Sequence, residues 1–325
     1  MIKLKNMKKL NIIIILVCAV FLCACSDLSQ VKDSGKMSIV TVNFPQYDIA
    51  RAICGDAENI KMIIRPGAEV HGYEPTLDDI LAIEQADVFI YNGGESDVWV
   101  EKILKGVDTS DTLVVNLMET EGINLYKEEH SGHAHTEDHN HNHDNTHIGK
   151  NYDEHIWTSP KNQLFLTKRV ADELCAYNPE KTAVYRKNEA IYTDKIKTLD
   201  KELENIASES GHSFIAVADK FPFLYLAKDY DIDYIAGFTG CSAENDAGPR
   251  VLADMIEEIK HHSISSVFHV ELSNRKMADA VSRHTGTRVK LLHSCQNVTR
   301  EEFESGKSYV DIMKENIINL KEALL

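Results

Sequence analysis

The sequence predicts an α/β fold of two lobes, each a mainly parallel β-sheet flanked by helices, joined by one long rigid α-helix. Three observations carry this. Short β-branched runs alternate with amphipathic helical patterns in both halves of the chain, the alternation that builds βα units around a parallel sheet. Between the halves, residues 180–210 contain neither Gly nor Pro. The length of 325 residues suits two domains of ordinary size, each able to bury a core.

The N-terminus reads as a sorting signal. Lys3, Lys5, Lys8 and Lys9 precede the apolar run LNIIIILVCAVFLCAC, a charged n-region followed by an h-region. The uncharged stretch from Leu10 to Cys25 is shorter than the ~20 residues a membrane-spanning helix needs. Leu22-Cys23-Ala24-Cys25 is similar to a bacterial lipobox, so residues 1–24 are expected to be a signal peptide and Cys25 the lipidated residue. Residues 25–37 are polar and without periodicity, as a flexible tether requires.

The N-terminal lobe, 38–177, opens with the strand SIVTVN (38–43). A helix follows, bounded by Pro45 and Gly55. NIKMIIR (59–65) is the next strand, stopped by Pro66-Gly67. TLDDILAIEQA (76–86) has the spacing of an amphipathic helix, with Thr76 as its cap. The strands DVFIY (87–91) and TLVVN (112–116) flank a helical stretch near 96–105. Residues 127–150, KEEHSGHAHTEDHNHNHDNTHIGK, have no core-forming period and read as a solvated loop. Asn178-Pro179 suits the start of the linking helix, 178–210, in which Ile191, Ile196, Leu199, Leu203 and Ile206 mark an apolar stripe. About 31 residues at ~1.5 Å rise give a rod of roughly 46 Å. In the C-terminal lobe, 211–325, the strands FIAVAD, DYIAGF, SSVFHV and TRVKLLH alternate with helices near 222–230, 249–262 and 273–285, and a last helix spans about 307–323.

Composition narrows the function. Hydrophobic residues make up 43% and charged residues 26%, the balance of a globular chain. The formal charge is −16, and loss of residues 1–24 removes four Lys and no acid, leaving −20. Such a surface does not suit a nucleic-acid backbone, whose neutralisation needs surplus Lys and Arg. It suits a cationic ligand. Seven Cys are too sparse for a disulfide scaffold. Cys54, Cys175, Cys241 and Cys295 remain after processing, with Cys241–Cys295 the first candidate pair and free buried thiols the equal alternative.

Histidine is the informative residue. The chain holds 15, seven of them between His130 and His147. In open α/β sheets, ligands bind beyond the carboxyl ends of the strands. His71 follows strand 59–65, and Asp219, Glu271 and His293 lie at or just past the ends of three C-terminal strands. His155 lies in YDEHIWTSP, after the His-rich loop. Imidazole nitrogen with carboxylate oxygen suits zinc, and manganese or iron where oxygen predominates.

GAEVHGYEPT, the downstream DEHIWTSPKN, the His-rich loop between them, the lipobox and the ending LLHSCQNVTREEFESGKSYVDIMKENI together resemble one family. It is that of the zinc and manganese solute-binding lipoproteins of bacterial ABC transporters, and the resemblance covers essentially 38–323. It implies metal bound in the cleft between the lobes, with His71 and His155 as the first two ligands and His293 at the position of a usual carboxylate. At the third position, alignment without a gap places Lys220, and a protonated Lys is no metal ligand. One inserted residue places Asp219 there, which is favoured over Glu271 or a water. A His71, His155, Asp219, His293 tetrahedron suits Zn²⁺, with Mn²⁺ as runner-up. His133, His135, His139, His141 and His143 of the loop are expected to act as auxiliary chelators.

The function so implied is capture of extracytoplasmic Zn²⁺ by a monomer, held to the membrane through lipid, that delivers it to a permease driven by a cytoplasmic ATPase. The alternatives are a manganese or iron receptor of the same type, a surface zinc hydrolase, or an adhesin. The chain has no H-E-x-x-H and no G-x-S-x-G, so neither a zincin helix nor a nucleophile elbow is indicated.

Overall fold

Four parallel strands make up each of two sheets, and both sheets follow the same winding. The computed structural model describes residues 36–55, 58–127, 152–210, 213–238 and 248–325. The signal, Cys25, most of the tether, the His-rich tract and Cys241 lie outside the described residues. In the first sheet, β1 (Ser38–Thr41), β2 (Asn59–Met62), β3 (Val88–Tyr91) and β4 (Leu113–Asn116) are ordered β2-β1-β3-β4. In the second, β5 (Ser213–Val217), β6 (Ile232–Ala236), β7 (Ser266–His269) and β8 (Arg288–Leu291) are ordered β6-β5-β7-β8. The strand order reverses beside β1 and β5, so the crevices at the carboxyl ends of β1/β3 and β5/β7 are where such sheets take ligands.

Apart from Pro160–Tyr177 and Arg300–Glu304, which are not among the helices expected above, the helices are those the periodicity calls for. They are α1 (Phe44–Cys54), α2 (Leu77–Glu84), α3 (Val98–Leu104), α6 (Leu224–Asp229), α7 (Pro249–His261), α8 (Lys276–Thr285), α9 (Arg300–Glu304) and α10 (Tyr309–Leu324), with α4 (Pro160–Tyr177) and α5 (Thr182–Glu209) between the sheets. Thr76 caps α2 as expected, its Oγ1 accepting the Asp79 N–H while the Asp79 carboxylate accepts the Thr76 N–H.

The linking helix departs from expectation in two respects. Asn178 makes no side-chain cap; its N–H closes α4 on Leu174 O, and a 3₁₀ turn over Pro179–Lys181 precedes α5. Ile191 is 48% exposed, and Tyr192 takes the buried position instead. Tyr192, Ile196, Leu199, Leu203 and Ile206 keep the helical spacing that Ile191 misses by one residue, about 100° of rotation. The Tyr192 hydroxyl donates to buried Asp48 at 2.7 Å.

One hydrophobic core runs through both lobes. It joins Ile90 and Val115 of the first sheet to Val217 and Phe268 of the second, by way of Trp157, Leu199 and Tyr309. Smaller clusters cover the outer face of each sheet. Polar staples cross as well. Trp157 Nε1 donates to Ser294 O at 2.8 Å, and the Tyr309 hydroxyl donates to Trp157 O at 3.0 Å. The segment after β8 hydrogen-bonds the His71 loop, through Gly67 N–H to Val298 O at 2.7 Å. Asn297 Nδ2 adds bonds to Arg65 O and Ala68 O at 2.9 and 2.8 Å. Cys54, Cys175 and Cys295 are free, buried thiols. Among the described residues, no helix is long and apolar enough to cross a membrane.

Candidate metal centre

His71 reaches the centre from the loop after β2. Val70 buries its side chain as an anchor, and Gly72, at φ +75°, turns the backbone away directly afterwards, a conformation that favours Gly. Glu69 Oε1 lies 3.0 Å from His71 Nδ1 and also accepts the His71 N–H. That contact assigns the proton to Nδ1 and leaves Nε2 as the metal-facing nitrogen. The hydrogen bond to His71 pulls the Glu69 carboxyl down to about 2.

His155 arrives from the other direction. The chain leaves the described residues at Lys127 and re-enters at Tyr152, and these two residues pair as an isolated antiparallel bridge. Three residues later His155 opens a 3₁₀ turn over Ile156–Thr158, its carbonyl accepting the Thr158 N–H and Oγ1–H. Asp153 Oδ1 accepts the His155 N–H at 2.8 Å and lies 3.0 Å from Nδ1, the same carboxylate–imidazole arrangement as at His71. Tyr225 fixes that turn by donating to Asp153 O at 2.6 Å. The Trp157 ring stands edge-on to the His155 ring, 5.4 Å between centroids.

Glu154 completes the group. Its Oε1 is 3.5 Å from His71 Nε2, and donor atoms of His71, Glu154 and His155 all fall within 4.8 Å of one another. The two imidazole centroids are 6.1 Å apart. Glu154 is held from the carboxyl end of β3. Asn92 Nδ2 donates to its carbonyl at 2.8 Å, and Ser96 donates to its carboxylate through both N–H and Oγ. Gly94, at φ +90°, permits this approach, because a Cβ there would lie 2.6 Å from Glu154 Cβ. Burial opposes ionisation of Glu154, but its contacts with His71, His155 and Ser96 outweigh it and lower its carboxyl to about 2. The neighbouring Asp97, fully buried and facing that charge, is pushed up to about 7.

Of the residues expected from sequence, His71 and His155 therefore come together, whereas Asp219 and His293 stand outside the mutual grouping. Asp219 lines the cleft with His71, but its two oxygens accept the Lys220 and Val270 N–H groups. His293 is 3% exposed and built into the C-terminal lobe. Its Nδ1 accepts the Cys295 N–H at 2.9 Å, its backbone N–H donates to Asn316 Oδ1, and Asn316 Nδ2 donates to its carbonyl. That leaves Nε2, which sits 3.9 Å from Glu302. Glu271, the alternative third ligand, accepts Ser294 N–H and Oγ–H. Glu154, which joins this grouping, was not among the residues singled out in the sequence. Its signal was adjacency: an acid directly before the histidine of DEHIW.

Two imidazoles and one carboxylate, grouped beside an inter-lobe cleft that His71 lines, give a two-lobed α/β protein with a metal-type donor set. Residues 39–323 match the family model for ZnuA, the zinc-uptake complex component A, periplasmic, and the chain belongs to that family. It is 31% identical over 321 residues to the zinc-binding lipoprotein AdcA of Streptococcus pneumoniae, covering 97% of this chain and 61% of that protein. The chain thus spans about three fifths of the length of the first curated relatives it matches. It is 29% identical to the high-affinity zinc uptake system protein ZnuA of Bacillus subtilis, covering 97% of each. The Zn(II)-bound ZnuA-like domain of Streptococcus pneumoniae AdcA superposes with a TM-score of 0.72 at 26% identity, over 89% of this chain and 99% of that one.

Proposed function

We propose that the chain is the extracytoplasmic receptor of an ATP-driven importer. It takes Zn²⁺ as cargo at the cleft and passes it to a membrane permease, while lipid on Cys25 holds it to the membrane. It serves as a transport receptor, not an enzyme. The observation that carries this reading is the close grouping of His71, Glu154 and His155, with each imidazole oriented by its own carboxylate. Two nitrogens and one oxygen favour zinc over manganese, which prefers an oxygen-dominated shell. The names of the zinc-binding relatives support the same cargo. His71, Glu154 and His155 are the protein ligands in this reading. The continuous core restricts wide opening of the lobes, so uptake and release proceed by movement of the ligand-bearing loops.

The test is metal analysis of protein purified without added metal, followed by competition titration of Zn²⁺ against Mn²⁺. Stoichiometric zinc and a preference for Zn²⁺ are expected. Preference for Mn²⁺ overturns the cargo, and tight zinc binding by a His71→Ala/His155→Ala variant overturns the site.

A further inference from the structure

The cleft that opens at His71 is far larger than an ion needs. Its volume is about 840 Å³, against the roughly 30 Å³ that one water occupies in the liquid and the ~300–1,000 Å³ of sites for organic ligands. Its lining also carries basic side chains, equal in number to the acids. Lys220, Arg275 and Lys276 stand there beside a donor set meant for a cation. The acids of the same wall are committed to the protein itself: Glu69 to His71, Asp219 to two backbone amides, Glu271 to Ser294. Among the described residues, Lys220 and Lys276 form no ion pair, and Arg275 has only Asp279 on its own helix flank at 3.5 Å. Gln296, 8% exposed and part of this wall, has an Nε2 with no hydrogen-bond partner.

The three basic side chains keep donors to spare for an anionic group, whereas the acids of the wall, equal to them in number, already accept from protein donors. The donor set asks for the same thing. Two neutral imidazoles and one carboxylate leave a bound Zn²⁺ with a net positive charge and, in tetrahedral geometry, one unfilled position. His71 is the donor that the cleft shares with the trio; His155 and Glu154 lie buried behind it.

We propose that the cleft binds zinc as a chelate with a small carboxylate ligand of the amino-acid or hydroxy-acid class. The metal is held by His71, Glu154 and His155, and the chelator fills the remaining coordination position. Its carboxylate is taken by Lys220, Arg275 and the Gln296 amide. This rests on the metal reading of the site.

The test is equilibrium dialysis at fixed free Zn²⁺ with isotopically labelled L-histidine or citrate, counting zinc and chelator separately. Retention of about one labelled chelator per zinc-loaded chain, and none on the metal-free chain, is expected. Loss of two charge-assisted hydrogen bonds in Lys220→Gln/Arg275→Gln should weaken chelator retention by about tenfold or more while leaving zinc affinity measured without chelator within about threefold. Single variants serve if the double variant does not fold. Whether histidine or citrate is retained tells the two chelator types apart. Zinc retained with neither chelator overturns the proposal, as does chelator retained equally without zinc. Absence of zinc from the wild-type chain under every condition overturns the metal reading beneath it.

Discussion

Asp153 gives the sharpest test of how the centre is built, because it orients a ligand without being one. A single oxygen, Oδ1, accepts the His155 N–H at 2.8 Å and faces Nδ1 at 3.0 Å. Asp153→Ala removes both contacts while leaving Tyr225 free to bond the backbone carbonyl of the same residue. A charge-assisted hydrogen bond contributes ~1.5–3 kcal/mol and a neutral one about 1. Only the part that orients the ring appears in metal affinity. Outer carboxylates of this kind alter metal affinity by about 10–100-fold, or ~1.4–2.7 kcal/mol, which agrees with loss of the Nδ1 contact alone. Asp153→Asn keeps a carbonyl oxygen for both donors and should recover most of the loss. Competition against a fluorescent zinc chelator measures both variants, and thermal melting of the metal-free forms confirms folding. Zinc affinity within about threefold of wild type in a folded Asp153→Ala protein would refute the argument. Equal losses in the Ala and Asn variants would do the same.

Four further outcomes are expected. Gly94→Ala places a Cβ 2.6 Å from Glu154 Cβ and 2.9 Å from its Oε2; it should lower zinc affinity about as much as Glu154→Gln, and zinc titration reads both. His293→Ala should cost ~2–3 kcal/mol of stability through a buried void and an orphaned Cys295 N–H, yet leave zinc affinity nearly unchanged; thermal melting beside titration separates the two. Zinc affinity should fall as pH is lowered from about 7 to 5, by up to ~100-fold per unit where two imidazoles must each lose a proton to bind the metal. Glu154, at about 2, stays ionised throughout that range. Asp97 runs oppositely: its folded pKa of about 7 lies above the ordinary carboxyl value, so its contribution is fully present below pH ~4 and lost as pH rises through 7. Asp97→Asn should flatten that decline in denaturant unfolding of the metal-free chain.

The sheets were legible because each strand is a short β-branched run and each crossover helix shows its own period. Where reading failed, the cause lay in tertiary placement. Asn178-Pro179 looks like a helix start, yet its amide is spent closing the preceding helix, whose own Ser159-Pro160 start carries the side-chain cap. His293 sits at a strand end as a ligand would, but α10 lies across that end and Asn316 grips its backbone. Glu154 belongs to no strand end at all. It is positioned by Asn92 and Ser96, about sixty residues earlier, and no local pattern announces such a partner. His71 and His155 stand out in the sequence because loop histidines near sheet crevices are few outside the His-rich tract.

The stitching of residues 297–298 onto the His71 loop also bears on the order in which the chain matures. A polypeptide emerges from its N-terminus, and domains generally fold as they appear. Here the loop that presents His71 is bonded to a segment near the far end of the chain, by Asn297 Nδ2 donating to Arg65 O and Ala68 O and by Gly67 N–H donating to Val298 O. Both imidazoles can therefore exist for most of synthesis without forming a tight site. Metal-binding competence comes late, once nearly the whole chain is present, so an unfinished or clipped product ending before Asn297 would lack the contacts that hold His71 in place.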